Sequence, residues 1–261
     1  MALPKAVLCV LGDEPADHSA EEELRSIGFA TFSITWKELD SIQNGWIQLL
    51  SPLEDPTVTA WAIVGKADEF TDAVRCKIAL LSLAMEREAP PATAFVIFDE
   101  GDFPDLPYSM SHIRVFRHTQ KYAVELLVAK VKPDPLAPTP FYVKPHLNPL
   151  VGAWLELGPP DGEEWPGFMA GLTNAVVSSF GVGPRGAIPA KSVLSFPMLG
   201  IEGNIGERPF NACAAKDTLS SETSCFIRLD GLPDMVFCMG YPDDESQSDG
   251  DERPPVQFEF V

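Results

Sequence analysis

The chain has 261 residues, 45% of them hydrophobic and 22% charged. That is apolar enough to build sizeable cores and excludes a chain disordered throughout. The 38 acidic residues against 19 basic ones leave a formal net charge of -19, a field that repels phosphate backbones and anionic membranes and so excludes nucleic acid and lipid as partners.

Residues 6–11 (AVLCVL) read as a strand buried on both faces, the pattern of parallel sheets. Ser19 with Glu22 three residues on forms a capping box, opening a helix that stops at Gly28. FATFSI, 29–34, is the second strand, and 45–53 a short helix cut at Pro52. VTAWAIV, 58–64, is the third strand. The segment TDAVRCKIALLSLAMERE places Val74, Ile78, Leu81 and Met85 at helical spacing. TAFVIF (93–98) and HIRVF (112–116) are the fourth and fifth strands, and 119–131 is a closing amphipathic helix. Alternating strands and helices predict a flavodoxin-like α/β domain over 1–131, a doubly wound five-stranded parallel sheet in the order 2-1-3-4-5.

Residues 132–140 carry four prolines in nine residues and read as a stiff linker. Residues 141–261 read as a smaller α+β domain with a mainly antiparallel sheet. Its strands are placed at 153–157, 192–196, 224–229, 235–240 and 256–261, its one helix at 165–180. Residues 243–252 (DDESQSDGDE) form an acidic loop. No apolar stretch approaches membrane-spanning length, and the apolar run at 6–11 is too short for a signal-peptide core.

In an open parallel sheet, ligands bind beyond the carboxyl ends of the strands. The candidates collected there are Gly12, Asp13, Glu14 and His18 after the first strand, Lys66 with Gly65 and Asp68 after the third, Asp99 and Asp102 after the fourth, and His118 with Arg117 after the fifth. Catalysis would draw on Asp13, Glu14, His18, Asp99, Asp102 and His118 as acids and bases. Ligand binding would draw on Gly12, Lys66 and Arg208, the last able to grip a carboxylate with both arms of its guanidinium. No metal is expected; a magnesium ion, if present, would take Asp13, Asp99 and Asp102.

The stretch EEELRSIGFATF resembles the first helix and second strand of TIR domains. NAD-cleaving members carry a Glu on the helix after strand 3; here Arg75-Cys76 leads to Ala79 at that position, and NAD hydrolysis does not follow. Response-regulator receivers need paired acids after strand 1, an Asp ending strand 3 and a Lys ending strand 5. Asp13 and Glu14 supply the first, but Gly65-Lys66 and Arg117-His118 stand at the other two.

Gly181-Val182-Gly183-Pro184-Arg185-Gly186 spells G-x-G-x-x-G but follows a predicted helix, and Pro184 has no N–H to offer a phosphate, so it reads as a helix cap and loop. No motif indicates a cofactor. The glycine-rich 200–213 stretch reads as a hairpin connection. Histidines 18, 112, 118 and 146 lack a nucleophile elbow. The five cysteines (9, 76, 213, 225, 238) are odd in number and form no C-x-x-C. Their spacing lacks the close pairs of zinc sites, although 213, 225 and 238 could meet His146; reduced core thiols in a cytosolic protein fit better.

These features point to a soluble, non-catalytic module that binds a protein or senses a small molecule, with Trp46, Trp61, Trp154 and Trp165 as possible anchors. The alternative is an enzyme acting on a small molecule, by metal-assisted hydrolysis or transfer, in an interdomain cleft lined by acids.

Overall fold

The computed structural model describes residues 4–12, 19–55, 57–88, 94–99, 110, 113–117, 121, 139–240 and 256–261. The chain divides into two units, Met1–Ala137 and Pro138–Val261.

In the first unit, β1 (Lys5–Val10), β2 (Ala30–Thr35), β3 (Val58–Gly65), β4 (Ala94–Asp99) and β5 (Arg114–Arg117) pair side by side in the order β2-β1-β3-β4-β5, each pair parallel. Among the described residues the helices are α1 (Ser19–Ser26), α2 (Trp36–Asp40) and α3 (Asp72–Glu88), with 3₁₀ turns at Gly45–Glu54 and Ala67–Glu69. The apolar runs of β1 and β3 have no polar face to show to water, and Ala6, Val7, Leu8, Cys9, Trp61 and Ile63 are buried. Gly28 ends α1 at φ 92°, where a Cβ would be strained. Thr71 caps α3 by accepting the Val74 N–H. Ile78, Leu81 and Met85 are buried, and α3 packs on the 45–54 turn beside buried Trp46 and Ile47. Pro52 sits inside that turn instead of ending a helix.

Among its described residues the second unit has nine strands. They are β6 (Tyr142–Asn148), β7 (Gly152–Gly158), β8 (Phe168–Thr173), β9 (Val176–Pro184), β10 (Met198–Ile205), β11 (Arg208–Ala215), β12 (Thr223–Asp230), β13 (Met235–Gly240) and β14 (Val256–Glu259). They form two antiparallel sheets, β10-β11-β8-β13-β14 and β6-β7-β12-β9. The sheets pack face to face. Phe168 of one meets Phe180 of the other with ring centroids 6.4 Å apart. The buried thiol of Cys225 shares a hydrogen bond with that of Cys213, with Cys238 beside them. Burial pushes the Cys9, Cys225 and Cys238 thiols well above the ordinary value, so they stay protonated and unreactive.

The fold class read from the sequence is therefore corrected. The molecule is mainly β, 48% strand against 20% helix. The description as a flavodoxin-like, doubly wound α/β chain does not hold. The predicted helix at 119–131 lies outside the described residues. The α+β reading of the second unit fails too, because the segment taken as its helix, 165–180, is β8 and most of β9. Apolar residues on both faces of β8 hide its period of two. Phe168, Ala170 and Leu172 alternate with Gly171, where an added Cβ would stand 2.5 Å from the Phe237 ring. Asn174, at φ 58°, makes the turn that carries the chain to the other sheet. Residues 192–196, read as a strand, are not one.

Candidate functional site

At the carboxyl end of the first unit's sheet, the chain brings Gly12, Gly65, Lys66 and the backbone of Asp99 together. Gly65 and Asp99 are paired across β3 and β4. The carboxylate filling the notch between β1 and β3 is that of Glu69, which the candidate set lacks. A Cβ on Gly12 would stand 2.6 Å from its Oε1, and one on Gly65 3.1 Å from its Oε2. Oε2 accepts the Lys66 N–H at 2.7 Å. Lys66 and Asp68 point to solvent. The sequence did hold the signal: Glu69 stands three residues after Lys66, the spacing at which an acid reaches back to cap a helical turn. Asp13, Glu14, His18, Asp102 and His118 lie outside the described residues, as does the Asp99 side chain.

The second unit holds a larger construction. On the outer face of the four-stranded sheet, Lys144 and Glu156 are paired across β6 and β7, and His146 is a diagonal neighbour. Glu156 is 0% exposed. Its Oε2 meets His146 Nε2 at 2.7 Å, and its Oε1 accepts the Gly186 N–H at 2.7 Å. Burial alone raises its pKa; His146, the Gly186 N–H and the Ser224 hydroxyl together outweigh that and hold it below the ordinary value. With both oxygens engaged, the carboxylate anchors the chain above it and is not poised as a base.

That overlying chain is the 185–199 segment, which joins the open edge of one sheet to the open edge of the other. Arg185 fixes its start. The guanidinium stacks on Tyr142 at 4.1 Å and donates to the Ser220 and Pro159 carbonyls at 2.8 and 3.1 Å and to Asp161 at 3.2 Å. Pro189 then lies flat on β9, where a Cβ on Gly183 would approach it to 2.8 Å. Ser192 Oγ accepts the Val182 N–H at 2.8 Å and donates to the Val182 carbonyl at 2.9 Å, closing the β9 edge as a paired strand would. Ser195 donates its N–H to Asp217 and accepts that of Lys216, both at 2.8 Å. The G-x-G-x-x-G stretch is thus strand β9 and the bend after it, not a helix cap. Gly181 and Gly183 admit the returning chain, which a phosphate loop does not do.

Held this way, the segment turns its large apolar side chains outward. Ile188, Val193, Phe196, Met198 and Leu199 are all exposed, Val193 at 95% and Phe196 at 77%. Phe196 sits at φ 51°, strained backbone for a side chain with a Cβ. Lys216 Nζ is 5.9 Å from its ring.

Other candidates resolve as structure. Arg208 opens β11 and reaches Glu259 at 3.1 Å, so the carboxylate it grips belongs to the chain itself. The 200–213 stretch is the β10–β11 hairpin, with Gly206 at φ 60° in the first turn position. Cys213, Cys225 and Cys238 do meet, but in the core; His146 faces away from them, against Phe226 and Glu156. Among the described residues no group of three or more His, Cys, Asp or Glu side chains could hold a metal ion. Trp46 and Trp61 are buried, while Trp165 lies against Gly240. Among the described residues no helix is long and apolar enough to cross a membrane.

No known family model, curated protein or solved structure matches this chain.

Proposed function

We propose that this chain is a protein-interaction module that docks a partner on the apolar strip of the 185–199 segment. One observation carries the reading. Five large apolar side chains within 188–199 face solvent, although the backbone beneath them is tied down at Arg185, Gly186, Ser192 and Ser195. Exposing apolar surface is unfavourable, and a loose loop would fold such side chains inward. Hydrogen bonds that hold them outward, with a strained Phe196 among them, are the design of a preorganised docking surface. The reading takes the cytosol as the compartment, on the support of five buried cysteines that form no disulfide.

Photo-crosslinking residues placed at 193 and, as a control, at exposed Leu150 test the proposal. The expected result is a partner captured only from position 193, whose purified form binds the full chain and loses at least about tenfold in affinity on Phe196→Asp. Equal capture from both positions, or binding unchanged by Phe196→Asp, would overturn it.

A further inference from the structure

The strip runs directly into β10, and β10 is an end strand of its sheet. The two edges that the 185–199 segment joins are treated differently. The β9 edge is closed by the Ser192 hydroxyl. Among the described residues no strand pairs with the outer side of β10. Edge strands are usually blunted by lysine, proline or a covering loop. MLGIEGNI contains neither lysine nor proline, and a bulge at Gly200 is its one irregularity. Beyond the bulge, the register with β11 is unbroken from Ile201 to Ile205, leaving a row of backbone donors and acceptors long enough for a short strand.

The charge along this edge is graded. At the strip end lie Leu199, Met198 and Phe196. At the hairpin end lie exposed Glu202 and Glu207, and the nearby Arg208 is committed to Glu259. A second copy of the chain is a poor occupant, since it adds another net charge of -19 and a second Glu202 to the same ladder. From this, and resting on the interaction reading above, we propose that the partner binds by strand addition. An extended segment pairs with the outer edge of β10, apolar residues over Leu199 and lysine or arginine opposite Glu202 and Glu207. Backbone pairing supplies affinity and the charge gradient supplies direction.

The test uses the full-length chain and labelled synthetic peptides of about ten residues: one alternating valine and lysine, one with glutamate in place of lysine, and one with every backbone nitrogen methylated. Anisotropy gives affinity, and amide exchange locates the contact. The valine–lysine peptide is expected to bind at least about tenfold tighter than the glutamate version. Glu202→Lys is expected to reverse that order, N-methylation to abolish binding, and the 201–205 amides to gain protection. Equal binding of the N-methylated peptide, or protection at 188–196 without 201–205, would overturn strand addition. That outcome leaves the docking strip standing if Phe196→Asp still weakens the captured partner. Peptide addition at β10 with a partner indifferent to Phe196→Asp would instead overturn the strip and keep the edge.

Discussion

Glu156 is a charged side chain with no surface of its own in water, and it survives there because every lone pair that matters has a donor. Replacing it by Gln removes the negative charge that both His146 Nε2 and the Gly186 N–H meet. Glu156→Gln should therefore cost about 1–3 kcal/mol in denaturant unfolding. The pH dependence has a definite sign. The folded carboxyl titrates below the ordinary 4.5, so its contribution is complete above that value and is lost as pH falls through the lower folded value. Unfolding free energy measured across this acid window should slope in the wild type and flatten in the variant; equal slopes would mean that the carboxylate is not ionised in the fold. The alternation in AWLEL showed that Glu156 lies opposite Leu155 and Leu157 in facing. It did not show that a later segment would fold over it, since that contact is made with residues about thirty positions away.

At the scale of elements, β9 and the segment above it fit because β9 lacks side chains where the segment lies. Gly183→Ala would put a methyl group 2.8 Å from Pro189, lift the 186–192 stretch and strain the Ser192 clasp on Val182. The expected cost is about 1–3 kcal/mol in unfolding, with raised amide exchange at Val182; an unchanged Val182 would refute the clasp. The helix expected over 165–180 has a separate explanation. Glycines at 167 and 171, a left-handed Asn174 and the paired valines 176–177 disfavour a helix, yet apolar residues on both faces of β8 imitate one. In the first unit the strand pattern was plain, because β1 and β3 are buried on both faces and read as unbroken apolar runs.

For the whole molecule, a net charge of -19 means that like charges crowd each folded unit. Raising salt from about 10 mM to about 0.5 M should screen that repulsion and stabilise the chain by on the order of 1 kcal/mol, roughly 2–4 °C in melting temperature. A melting temperature indifferent to salt would show that the charges are already locally compensated. The same salt should weaken a basic partner, so stability and binding are expected to move in opposite directions.

The sequence by itself determined the unbroken apolar strands of the first unit, the hairpin at 200–213, and a net charge of -19. Each of these is written in local period, turn residues or summed charge. Only the tertiary structure decided that the second unit is a pair of antiparallel sheets, that the Glu69 carboxylate fills the notch by Gly12, and that 188–199 presents its apolar side chains to water. Those outcomes depend on hydrogen bonds and close approaches between residues far apart in the chain, such as Ser192 on Val182 and Pro189 on Gly183, and no local pattern records which distant backbone will arrive.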